Sequence, residues 1–135
     1  MKTIRSEYLG ELRTQAIHIQ SGSVLTTDAP VDNEGKGEFF SPTDLVSAAL
    51  GSCMLTIMGI FARRHAIDLE GTRVEITKIM ASNPRRIGEI CVEITFPAKE
   101  YSEKNRKLME AAARECPVAQ SLGADLIQTI IFNYQ

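Results

Sequence analysis

The feature that most constrains this chain is an uncharged stretch from Leu45 to Ala62, directly behind the helix-start signature Ser41-Pro42-Thr43-Asp44. Ser41 at the N-cap offers a hydroxyl to a free N–H, Pro42 at N1 loses no hydrogen bond, and an acid at N3 can bond back. The helix this predicts ends near His65 and, at about 1.5 Å per residue, spans roughly 36 Å. With no charge on any side, it has to be buried nearly all round. A membrane span is the rival reading, because apolar runs of roughly 18 or more residues are candidates. Ser47, Gly51, Ser52, Thr56 and Gly59 interrupt this run, so a buried helix and no membrane partner are expected. Ala48, Ser52, Thr56 and Gly59 fall on one stripe, where a neighbouring backbone can approach closely. A protomer of 135 residues struggles to cover such a helix on every side, so the pattern predicts an obligate dimer.

The segments around the helix read as strands. Thr3 to Leu9, Glu11 to Gln20 and Ser23 to Thr27 are β-capable runs punctuated by Gly10 and Ser21-Gly22, a meander. Asp28 to Phe40 is a loop long enough to expect function or mobility. After the helix come Thr72 to Ala81 and Gly88 to Phe96, with Ser82 to Arg85 as the hairpin turn; Ile90, Val92, Ile94 and Phe96 share one face. Ser102 caps a second helix to about Glu115, with Leu108, Met109, Ala112 and Cys116 on its stripe. Pro117 stops it, and Leu126 to Tyr134 closes the chain as a strand. The class is mixed, α+β, in a single domain over residues 1–135.

A net charge of −2, from 15 basic and 17 acidic residues, leaves no electrostatic footprint for nucleic acid. Three cysteines, widely spaced and without a Cys-x-x-Cys pair, fit neither a secreted disulfide framework nor a structural zinc site. No apolar leader is visible at the amino terminus, so a cytoplasmic protein with no metal and no cofactor is expected.

Each cysteine has a bland reading. Cys53, mid-helix, is a core cysteine unless a cation or hydrogen-bond donors reach it, because an apolar environment raises a thiol pKa. Cys116 occupies the N-cap of a new turn at Pro117, where free N–H groups and the dipole favour a thiolate by about 1 kcal/mol; packing on Met109 and Ala112 is the alternative. Cys91 lies opposite Ile90 and Val92, beside Glu89 and Glu93, and reads as structural. Among the cations, Arg63 and Arg64 suit the helix end and Arg85 and Arg86 the hairpin turn. Arg13, a charge within a strand, is the odd one out.

The run Ser41-Pro42-Thr43-Asp44-Leu45 with Ala48-Ala49 and Cys53, followed by a hairpin and then Glu115-Cys116-Pro117-Val118, resembles the OsmC/Ohr family of osmotically inducible and organic hydroperoxide resistance proteins. The resemblance covers nearly the whole chain. It implies an intertwined homodimer in which antiparallel sheets wrap long buried central helices. It also implies that Cys53 is the peroxidatic and Cys116 the resolving cysteine, and that Arg13 contacts the thiolate. The chain departs from the family where the hydroperoxide-reducing members carry a glutamate that holds this arginine: Thr43 stands there, with Asp44 and Glu38 as neighbouring acids.

The activity implied by the resemblance is that of a thiol-dependent peroxidase, reducing organic hydroperoxides through a Cys53 sulfenate and a Cys53–Cys116 disulfide. A cellular dithiol would be its reductant, and Phe39, Phe40, Leu50, Met54 and Ile57 would hold the alkyl tail. The alternative is a non-catalytic OsmC-like stress or small-ligand-binding protein with a vestigial cysteine pair.

Overall fold

The computed structural model describes residues 1–135 and divides into two units, Met1–Val46 and Ser47–Gln135. The first unit is an antiparallel meander of β1 (Ile4–Gly10), β2 (Arg13–His18) and β3 (Val24–Asp28), in the order β1-β2-β3. A two-residue turn joins β1 to β2, with Glu11 at φ 56° and Leu12 at φ 60°, the left-handed backbone that suits a tight hairpin. Arg13 is therefore the first residue of β2, and it stands in register with Asp28, the last of β3.

Beyond β3 the chain makes a 3₁₀ turn at Val31–Asn33 and returns along itself. The Gly37 N–H donates to the Ala29 carbonyl at 3.2 Å and the Asp28 N–H to the Phe40 carbonyl at 3.2 Å. The long loop is thus held at its base. Gly35 sits so close to Ala29 that a side-chain carbon there would overlap the Ala29 carbonyl, so only glycine fits.

Helix α1 (Pro42–Arg64) begins as its sequence predicts. The Asp44 N–H donates to Ser41 Oγ at 3.1 Å and the Ser41 N–H to Asp44 Oδ2 at 3.0 Å, a reciprocal capping box. Burial on every side is not met within one chain. Ser47, Leu50, Gly51, Met54, Met58 and Ala62 form the buried stripe, while Val46 and Ile60 are 37% and 42% exposed, because a three-stranded sheet covers one face of a helix. The expected close-packing stripe shifts too. Gly51, not Gly59, meets the sheet: a side-chain carbon on it would lie 2.5 Å from Ile76 Cδ1 and 3.1 Å from Val74 Cγ1, whereas at Gly59 nothing lies within 4 Å. Although long and apolar enough to cross a membrane, α1 supplies the floor of the second unit's core.

That unit contains β4 (Arg73–Ala81), β5 (Arg86–Thr95), α2 (Glu103–Arg114), α3 (Pro117–Ser121) and β6 (Ile127–Asn133), its sheet ordered β4-β5-β6. Strands β4 and β5 are antiparallel as expected; β6 runs parallel to β5. This corrects the expectation of wholly antiparallel sheets, and α2 with α3 provides the crossover that a parallel neighbour requires. Ile90, Val92, Ile94 and Phe96 are buried on the helix-facing side with Leu50, Met54 and Met58.

Ser102 caps α2 by accepting the Asn105 N–H at 3.1 Å. Its inward stripe is Met109, Ala113 and then Cys116, at i, i+4 and i+7; Leu108, expected inside, is 41% exposed. Phe96 stacks on Tyr134 at 4.4 Å, and Tyr134 donates its hydroxyl to Glu110 Oε2 at 2.8 Å, fastening α2 to the strand ends.

Candidate active site

Two groups of side chains carry the chemistry expected from the sequence, one in each unit. In the second unit, α1 places Cys53 half-buried against the core, beside the fully buried Leu50 and Met54. The chain reverses after α2 so that Cys116 caps α3, with Pro117 at N1. The Gln128 side-chain amide donates to the Ala119 carbonyl at 3.0 Å and ties this turn to β6. Cys53 and Cys116 are neighbouring free thiols of one core cluster.

Cys116 Sγ accepts the Ala119 N–H at 3.4 Å, the expected N-cap contact. Its pKa nevertheless moves the other way: burial pushes it up, the Ala119 N–H opposes that, and neighbouring Cys53 adds to the rise. A five-residue helix offers too weak a dipole to offset complete burial. Cys116 is thus a protonated thiol waiting beside Cys53. Cys91 lies on the opposite sheet face, in register between Thr77 and Thr129, as its structural reading expects. Arg86 braces the hairpin turn through the Ser82 and Pro84 carbonyls at 2.8 and 2.9 Å.

In the first unit Arg13 is held on three sides. Its Nε donates to Asp28 Oδ1 at 2.7 Å and its Nη2 to Asp28 Oδ2 at 2.9 Å, a bidentate fork, while Nη2 also reaches Glu38 Oε1 at 2.6 Å. The guanidinium lies over the Phe39 ring at 4.8 Å. Hydrogen bonding to the two carboxylates raises the Arg13 pKa, and Arg13 in turn holds the Asp28 carboxyl below its usual range. Asp28 is the residue that sequence reasoning missed. It reads as the first loop residue, yet a lone strand arginine needs a partner, and the opposite end of the adjacent hairpin strand is where one belongs.

The expected apolar residues divide between the units. Phe39 and Phe40 are exposed on the loop of the first, whereas Leu50 and Met54 are buried and Ile57 half-buried in the second. No three His, Cys, Asp or Glu side chains cluster so as to hold a metal ion.

The family model described as OsmC-like protein matches residues 35–130, including both cysteines of the thiol pair. The chain belongs to the OsmC-like family. Comparison with curated proteins finds no match. Among solved structures, this OsmC-like protein is 51% identical to a Psychrobacter arcticus protein named for osmotic stress induction and a detoxification response; the likeness covers 98% of this chain and 96% of that one, with a TM-score of 0.95. An organic hydroperoxide resistance protein from Legionella pneumophila is 14% identical over 98% of both chains, TM-score 0.76. The Bacillus subtilis organic hydroperoxide resistance protein is 13% identical over 96% of both, TM-score 0.67. These two share the fold. In this OsmC-like protein Thr43 carries no charge toward Arg13, and its hydroxyl lies 3.3 Å from Ser41 Oγ within the helix cap.

Proposed function

We propose that this OsmC-like protein is a thiol-dependent peroxidase that reduces organic hydroperoxides. The observation that carries the reading is the pair of free thiols, Cys53 of α1 and Cys116 at the start of α3, set as neighbours in one core cluster. Cys53, the less buried of the two, attacks the terminal peroxide oxygen as the thiolate; the O–O bond breaks, the alcohol leaves with a proton, and a sulfenic acid forms on Cys53. The Cys116 thiol then condenses with it, releasing water and closing the Cys53–Cys116 disulfide. A cellular dithiol supplies the two electrons that reopen it. Arg13 favours the thiolate and the departing oxygen by charge and hydrogen bonding. Phe39, Phe40, Leu50, Met54 and Ile57 supply the apolar side chains for an alkyl tail in this reading.

The functional unit in this reading is a cytoplasmic, intertwined homodimer of single OsmC-like domains, which the exposed side of α1, with Val46 and Ile60, supports. Treating the reduced protein with one equivalent of cumene hydroperoxide tests the reaction. The expected result is loss of two thiols per chain and a peptide joining Cys53 to Cys116. Unchanged peroxide consumption by C53S overturns it.

A second reading, a small-ligand-binding OsmC-like protein without turnover, is favoured by Thr43 at the position where the arginine-holding glutamate is expected. In that case the thiols outlast the hydroperoxide treatment and an apolar ligand still binds.

A further inference from the structure

Arg13 has lost the carboxylate that the start of α1 would supply, but it has gained another. The two partners it has are unequal. Asp28 is 1% exposed, engages both the Nε and Nη2 edges of the guanidinium, and is itself fixed: Oδ2 accepts the Glu38 N–H at 3.0 Å, and its own N–H bonds the Phe40 carbonyl. Glu38 is 62% exposed and contributes one contact from a loop. A fork-to-fork pair sets the orientation of a guanidinium plane; a single bond from an exposed side chain does not. The hydrogen bonds to Asp28 and Glu38 use Nε and Nη2 and do not engage Nη1.

We propose that Asp28 is the positioning residue of Arg13, fixing the plane of the guanidinium through which Arg13 acts in the peroxidase reading, with Glu38 an accessory partner. The proposal rests on the peroxidase reading and deepens it. It also accounts for Thr43: with the arginine oriented from the end of β3, position 43 needs no carboxylate.

The test uses the full-length protein and two readouts, single-turnover oxidation of Cys53 by cumene hydroperoxide and the pH midpoint of Cys53 alkylation by iodoacetamide. R13M is the reference. D28N should slow oxidation by about tenfold to a hundredfold, the range a misplaced catalytic group produces, and should shift the alkylation midpoint upward as R13M does. E38Q should cost about threefold, the scale of an exposed ion pair. If R13M oxidises at the wild-type rate, the peroxidase reading of Arg13 falls. If R13M is slow and D28N is not, that reading stands and the positioning role of Asp28 falls. Equal losses in D28N and E38Q overturn the ranking of the two partners. Should D28N fail to fold, the wild-type protein decides: separate, slowly exchanging Nη1 and Nη2 resonances of Arg13 are expected, and one averaged signal overturns the fork.

Discussion

The Cys116 thiol neighbours Cys53 while lying fully buried at the amino end of α3. Burial favours the protonated Cys116 thiol and shields it from solvent, whereas Cys53 is only half-buried. In native protein at about pH 8, near the reference thiol pKa, iodoacetamide should label Cys53 well before Cys116. Peptide mapping over time checks this order, and labelling of Cys116 first would contradict it. C116S should complete one round of peroxide reduction and accumulate the Cys53 sulfenic acid, seen as a dimedone adduct.

Asp28 gives the fold a defined acid response. An unfolded aspartate titrates at about pH 3.9, and Arg13 holds the folded one lower. Between those two values the unfolded chain binds more protons, so stability rises with pH; the Asp28 contribution is complete above the unfolded value and is lost as pH falls through the folded one. Urea unfolding of D28N should show a shallower rise below about pH 4, by up to one proton's worth of slope. An unchanged slope would show that the Arg13 pair is not coupled to folding.

At Gly51 the β4 side chains Ile76 and Val74 press against α1. In G51V the new methyls must displace Ile76 and Val74. The expected destabilisation is about 1–3 kcal/mol, the usual cost of overpacking a core, measured by chemical denaturation. Pairing it with I76A, which opens room for the methyls, should recover part of the loss.

Gly35 holds the loop that carries Glu38 and Phe39. In G35A the added methyl overlaps the Ala29 carbonyl, so the 29–40 segment must move. Limited proteolysis should become faster within 29–40, and stability should drop by about 1–3 kcal/mol. If cleavage there is unchanged, the loop is not anchored through this contact.

The legible parts of the fold are those written in local chemistry. Ser41 and Asp44 announce a capping box, Pro117 after Cys116 announces a new turn, and alternation from Ile90 to Phe96 announces a one-sided strand; each is decided within a few residues. Less legible is the inward stripe of α1. Its sequence is apolar on every side, so periodicity cannot say that Gly51 and not Gly59 meets the sheet. The direction of β6 is hidden as well, because strand polarity depends on how α2 and α3 cross over.

At the site, the sequence by itself determined which atoms can react: a helix cysteine, a second cysteine before a proline, and one arginine out of place in a strand. Tertiary structure alone decided their state. Cys116 meets Cys53 across 63 residues of chain, and full burial outweighs the short helix end that would have favoured its thiolate. Arg13 takes its fork from Asp28 because antiparallel pairing sets the two in register, a relation fixed by hydrogen bonds between strands and not by spacing along the chain. The length and absence of charge that first singled out α1 made it a core helix; which of its faces is core was decided only by the sheet laid against it.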